Sequence, residues 1–241
     1  MYQDAHLHIA ADTKLDISSE IGRVFINSTS PEDYRTIGQA SCENVKTLAF
    51  FGLHPWMTSS RYFSSAQLSA ALEACPAAGI GEAGLDLSSK YKAEIDTQAH
   101  LFMQQLELAV KLKRTLSIHC VKAWQRLFES LDKIGPLPKP FILHSFYGSI
   151  EVLKRLLSYG AYISISSLSV RNPEHSRPVI AGIPLNRLLI ESDMAAGSTG
   201  FTPENHLQEL KKLYNIASSI TGLSVNEIGK RVWDNGTVFT N

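Results

Sequence analysis

The sequence carries only three cysteines in 241 residues, Cys42, Cys75 and Cys120, and no two of them share a CxxC spacing. That excludes a disulfide framework and a thiolate zinc site, and it suits a reducing compartment. No run approaches the ~18 consecutive apolar residues of a membrane-spanning helix. Nor does one sign of charge dominate: 23 basic and 23 acidic side chains leave a formal net charge of zero. A general polyanion binder is more often basic, so any nucleic-acid site here has to be local. Repeats, low-complexity tracts and linkers are also absent, which predicts a single domain over residues 1–241. The first residues enter an apolar alternation with no basic segment ahead of an apolar one. We therefore expect no leader peptide, no membrane association and a cytoplasmic protein.

What is present is an alternation of short apolar runs and longer helical patterns. Strands are predicted over 2–9, 22–28, 45–52, 78–84, 115–120, 140–146, 160–166 and 186–192. Helices are predicted over 31–41, 64–75, 91–113, 122–134, 148–158, 173–181, 203–221 and 224–234. Ser30-Pro31-Glu32-Asp33 and Thr202-Pro203-Glu204 have the form of helix starts, with a hydroxyl cap, proline at the first position and acid in the first turn. Leu101 and Leu108, with Phe102 and Ala109, recur at helical spacing and read as a core-facing helix, in which His100 is an ordinary helix residue. Eight strands alternating with helices predict an α/β fold, a (β/α)8 TIM barrel. Its weak place is the first crossover, residues 10–21, too short and polar for a good helix.

His6 and His8 lie two apart in the first strand, so both imidazoles face the same way. Such a pair is either a metal-ligand pair or a hydrogen-bonded structural one. Further along, four apolar runs each finish on a metal-capable side chain: Glu82 in the fourth strand, His119 in the fifth, His144 in the sixth and Asp193 in the eighth. In a parallel barrel these ends share one mouth, where barrel enzymes keep their functional groups. Four histidines and two carboxylates suffice for two divalent ions bridged by one carboxylate. The mixed nitrogen and oxygen set is compatible with zinc, manganese or magnesium.

These residues sit in stretches that together resemble the TatD-type metal-dependent deoxyribonucleases of the amidohydrolase superfamily. The stretches are Asp-Ala-His-Leu-His at 4–8, Gly-Leu-His-Pro at 52–55, Ile-Gly-Glu-Ala-Gly-Leu-Asp at 80–86, His119, Leu-His-Ser-Phe-Tyr-Gly at 143–148 and Leu-Leu-Ile-Glu-Ser-Asp at 188–193, with Asn235 and Phe239 near the end. The resemblance implies that His6, His8, Glu82 and Asp193 bind one metal ion, and that Glu82 bridges to a second held by His119 and His144. It puts His54 beside the site, in contact with substrate or with a ligand; otherwise His54 is a turn histidine before Pro55. Two departures concern substrate. Val121 stands where the family usually has arginine, and the segment from Met194 to Pro203 lacks an Arg-Asn-x-Pro-like element.

The reaction the resemblance implies is phosphodiester hydrolysis by a metal-activated water, of the 3′–5′ exonuclease type, on DNA, with a single strand as one option. Asp193 would take the water's proton, Glu82 would bridge the ions, and one or two divalent ions (Mg, Mn or Zn) would be the cofactors. Lys122, Arg171 and Lys90 are candidates to offset charge on the phosphate, with Arg177 nearby; each is equally readable as a solvated surface charge. The same site would serve an amidohydrolase acting on a small ester, lactone or amide, and the neutral surface favours that alternative. A third reading is a docking subunit with structural metals, which the apolar rim residues Trp56, Met57 and Phe201 keep open.

Overall fold

The apolar runs pair side by side, in chain order and all parallel. The computed structural model describes residues 1–43, 46–58, 64–88 and 94–240. Its strands are β1 (Tyr2–Ile9), β2 (Ile21–Asn27), β3 (Thr47–Phe51), β4 (Gly79–Asp86), β5 (Leu116–Val121), β6 (Phe141–Leu143), β7 (Tyr162–Ile165), β8 (Leu188–Ile190) and β9 (Met194–Ala196). They form one nine-stranded sheet in the order β8-β7-β6-β5-β4-β3-β2-β1-β9. The helices are α1 (Tyr34–Glu43), α2 (Ser65–Ala74), α3 (Ile95–Leu112), α4 (Trp124–Ile134), α5 (Ile150–Ser158), α6 (Ser167–Val170), α7 (Pro173–Ala181), α8 (Pro203–Thr221) and α9 (Val225–Thr237). Parallel strands covered by helices are buried on both sides, and β4 is buried at every residue.

Local chemistry starts and stops these elements. Thr202 caps α8 through its side chain to the Asn205 amide, with Pro203 at the first position as expected. At the other predicted start, Pro31–Asp33 form a 3-10 turn leading into α1, and the Asp33 carboxylate accepts from the Thr29 and Ser30 amides at 2.8 and 3.2 Å. On α3, Phe102, Leu106 and Ala109 are buried at helical spacing, and His100 is exposed, as read. The same stripe also buries Gln98 and Gln105. Gln98 holds the Asp86 amide at 2.7 Å and carbonyl at 3.1 Å, and Gln105 holds those of Leu53 at 2.8 and 3.3 Å. These amides supply the backbone partners that β3 and β4 lose where the sheet pairing stops.

Several boundaries differ from expectation, and a left-handed residue explains three of them. Lys122 (φ 56°) delays α4 to Trp124, Ser145 (φ 46°) turns the chain after β6, and Asp193 (φ 55°) turns it just past the predicted strand 186–192. That strand survives as β8, after which the Glu191 amide still bonds Ile165 in β7 at 3.1 Å while the Asp193 amide bonds His6 in β1 at 3.0 Å. Asp193 thus lies between β8 and β9 rather than ending a strand. The short α6 and β9 were not anticipated, and no helix or strand forms over 10–20. The predicted starts at 45 and 91, and Lys90, lie outside the described residues. Among the described residues no helix is long and apolar enough to cross a membrane.

Candidate metal centre

Glu82 projects from β4 into a ring of imidazoles with 1% of its surface exposed. The strand can reach this position because Gly84 follows: any Cβ there would collide with the His119 carbonyl oxygen, so β4 and β5 approach backbone to backbone. The two Glu82 oxygens serve different histidines. Oε2 lies 3.2 Å from His6 Nε2 and 3.3 Å from His8 Nε2, both from β1. Oε1 lies 2.6 Å from His119 Nδ1, in β5, and 2.8 Å from His144 Nε2, just after β6. Within each pair the ring nitrogens face one another, at 3.2 Å for His6 and His8 and 3.0 Å for His119 and His144. Asp193 Oδ1 lies 3.8 Å from His8 Nε2 at the mouth, with a third of its side chain exposed.

The outer nitrogens settle what the inner ones present. His8 Nδ1 faces the Asn27 carbonyl at 2.9 Å, His144 Nδ1 the Glu191 carboxylate at 3.2 Å, and His119 Nε2 the Asp86 carboxylate at 3.4 Å. Those oxygens can only accept, so the outer nitrogens carry the protons and the inner nitrogens of the neutral rings turn lone pairs toward Glu82. Lone pairs and a carboxylate crowded this closely repel unless a cation or added protons sit among them. This donor set fits divalent metal. Three groups within the cluster have ligand atoms close enough to hold an ion: His6, His8 and Asp193; His6, Glu82 and His144; His54, Glu82 and His119.

Without a cation, protonation equilibria register the crowding. Burial opposes charge on Glu82, yet His144, His54 and His6 outweigh it and hold its carboxyl well below the usual range. Burial likewise opposes charge on His144, but Glu82 and Glu191 push it well above the ordinary imidazole value. Burial lowers His6, and it lowers His54 to about 4. Desolvation at the mouth raises Asp193, with the Glu82 carboxylate adding to it.

His54 is held the opposite way from the other rings. It is buried, its Nδ1 accepts from the Trp56 amide at 3.1 Å, and its Nε2 lies 3.2 Å from Glu82 Oε1. A neutral ring accepting at Nδ1 carries its proton on Nε2, so His54 donates to Glu82 and has no lone pair left for an ion. It stands against the Glu82 carboxylate and orients it.

His6, His8, Glu82, His119, His144 and Asp193 are therefore brought together, with His54 against them. Lys122 is exposed on the turn after β5 and Arg171 at the end of α6, and among the described residues neither hydrogen-bonds to the cluster; Arg171 stacks over the Tyr147 ring at 4.5 Å. Arg177 is exposed on α7. Sequence reasoning gave no role to four residues that support the site. Asp86 takes hydrogen bonds from Trp56 Nε1 at 2.6 Å and the Ser88 amide at 2.6 Å besides facing His119. Glu191 accepts from the Ser145 amide at 2.6 Å as well as from His144. Asp4 accepts from the His6 and Ser192 amides, at 3.0 and 2.9 Å, and from buried His206 Nε2 at 2.7 Å. His206 shares the buried stripe of Leu210, Leu213 and Ala217 on α8, a periodicity that could have placed it inside.

The chain matches the family described as TatD related DNase over residues 3–240. It is 36% identical over 149 residues to the 3'-5' RNA nuclease TATDN2 of Homo sapiens, covering 59% of this chain and 19% of that protein. It is 36% identical over 115 residues to deoxyribonuclease Tat-D of Schizosaccharomyces pombe, covering 47% and 36%. The matched stretches thus span well under two thirds of these two relatives. Against the uncharacterized metal-dependent hydrolase YjjV of Escherichia coli it is 31% identical over 178 residues, covering 72% and 68%. The crystal structure of YjjV superposes with a TM-score of 0.82 at 24% identity, covering 100% of this chain and 98% of that one, a likeness of fold.

Proposed function

This chain belongs to the family of TatD-related DNases, and we propose that it is a metal-dependent nuclease hydrolysing phosphodiester bonds of DNA from the 3′ end. The observation that carries the reading is the division of Glu82: one oxygen for His6 and His8, the other for His119 and His144, with outer nitrogens tied to acceptors. In this reading residues 1–241 make one domain and the parallel sheet is a (β/α)8 barrel. β8 pairs with β7 and β9 with β1, so the two are halves of one closing strand, interrupted at 191–193. The ligands then gather at the C-terminal ends of the strands, where barrel enzymes carry their chemistry.

His6, His8, Glu82 and Asp193 would hold one divalent ion; His119 and His144 would hold a second across Glu82. Magnesium, manganese and zinc are all compatible with this donor set. Bound there, such ions supply Lewis acidity to the scissile phosphate and bring the pKa of an attacking water to about 7. Asp193 would serve as the proton acceptor there: of the two carboxylates in the cluster it is the one open to solvent. Glu191, Asp86 and Asn27 keep His144, His119 and His8 in the tautomers that turn lone pairs inward. Lys122 and Arg171 supply positive charge toward the phosphate from the rim.

The test is digestion of end-labelled single-stranded DNA, duplex DNA and RNA by metal-stripped protein restored in turn with magnesium, manganese and zinc, beside Asp193→Asn. Metal-dependent shortening from the 3′ end, lost in the variant, is expected. Hydrolysis of a small ester or lactone with no cleavage of nucleic acid would replace this reading with the amidohydrolase one.

A further inference from the structure

We propose that His206 is a positioning residue for one half of the centre: through the Asp4 carboxylate it places His6 and Asp193, and with them the ion that His6, His8 and Asp193 would hold. The proposal rests on the two-ion reading and gives a role to a buried histidine of α8 that the hydrolysis itself does not use. Asp4, Ser192 and His206 are all buried, Asp4 and His206 completely. The two oxygens of Asp4 divide their partners. Oδ1 accepts from the His6 amide at 3.0 Å and the Ser192 amide at 2.9 Å. Oδ2 accepts from the Ser192 hydroxyl at 2.6 Å and from His206 Nε2 at 2.7 Å. The Ser192 hydroxyl in turn accepts from the Met194 amide at 3.3 Å, and the Asp193 amide donates to the His6 carbonyl at 3.0 Å.

These bonds lie where the sheet gives least support. β8 stops at Ile190 and β9 begins at Met194, so the Ser192 amide between them takes its partner from a side chain. His6 and Asp193 are also the ligands least tied through their own side chains. His8, His119 and His144 each turn an outer nitrogen to a carbonyl or a carboxylate, which fixes the ring. His6 Nδ1 instead meets the Ser117 hydroxyl at 3.4 Å, a group that can donate or accept. Asp193 lies 3.8 Å from His8, beyond hydrogen-bond reach. Backbone placement therefore matters most for these two, and the backbone of both segments hangs on Asp4. One oxygen can hold two amides in place only while the carboxylate does not swing, and His206 pins the other oxygen with a charge-assisted bond. About two turns further along α8, Tyr214 Oη accepts from the Gln3 amide and donates to the Gln3 carbonyl, both at 3.0 Å. The helix that carries His206 is thus set in register with β1.

The experiment titrates metal-stripped wild type, His206→Phe, His206→Gln and Tyr214→Phe with zinc against a chromogenic chelator, beside a thermal melt of each. Wild type should bind two ions. His206→Phe removes the donor at similar bulk, and one of the two ions should weaken about 10–100-fold while the other keeps wild-type affinity. His206→Gln still presents an N–H to Asp4 and should keep both. Tyr214→Phe loosens the same helix without touching Asp4, so its Tm should fall while both ions stay. Weakening of both ions alike in His206→Phe, or of neither, would overturn the proposal, and so would His206→Gln behaving as His206→Phe. Selective loss of the same ion in Tyr214→Phe would overturn it too, since a loosened α8 would then suffice. A wild type that binds fewer than two ions removes the two-ion reading itself and this proposal with it, an outcome visible before any variant is compared.

Discussion

Glu191 illustrates how a side chain can decide the chemistry of a site without facing it. Its Oε1 takes both the His144 ring proton and the Ser145 amide. Burial pushes its carboxyl up, against the pull of His144. The pairing fixes the His144 tautomer and also stabilises the left-handed turn at Ser145, a conformation that costs a non-glycine residue about 1 kcal/mol or more. Glu191→Ala removes both functions, and losses of this kind weaken metal affinity or activity roughly 10–100-fold. Glu191→Gln keeps an acceptor in place and should lose much less. Titration against a chromogenic chelator measures the effect directly; wild-type affinity in Glu191→Ala would mean that His144 needs no such partner.

The elements are held to the site by polar residues on faces that otherwise read as apolar. Gln105 on α3 satisfies both backbone groups of Leu53, the residue before His54. Gln105→Leu would leave that buried amide unpaired at a cost of about 1–3 kcal/mol, read as a lower urea midpoint with an unchanged m-value. The same residues explain what could be read from sequence. His119 and His144 were legible because each ends an apolar run, and the α3 stripe was legible from Phe102 and Ala109. Gln98 and Gln105 occupy that stripe too, but a pattern sought in apolar residues passes over buried amides. Asp86 and Glu191 continue strands whose first acid, or last, had already been given the role of ligand. β9 was illegible for another reason: its three residues pair with β1 only because Asp193 adopts a left-handed backbone, which no periodicity encodes.

At the scale of the whole molecule, the cluster draws on residues 6, 8, 82, 119, 144 and 193, so its ligands come from most of the length of the chain. Divalent metal held among them would bind the folded protein and find no equivalent in the unfolded one. Mass action then makes it a stabilising ligand: at a free concentration 100 times Kd it contributes about 2.7 kcal/mol. For a chain of this size, 1 kcal/mol moves Tm by about 2–4 °C, so saturation should raise Tm by roughly 5–10 °C over chelator-treated protein. Residual binding to histidines in the unfolded chain sets that as an upper range. Glu82→Gln should abolish most of the rise, since it removes the charge shared by both histidine pairs. Thermal melts across a metal titration give the answer. A Tm independent of metal in the wild type would mean that the repelling lone pairs are quenched by protons alone, and that the centre does not assemble around an ion.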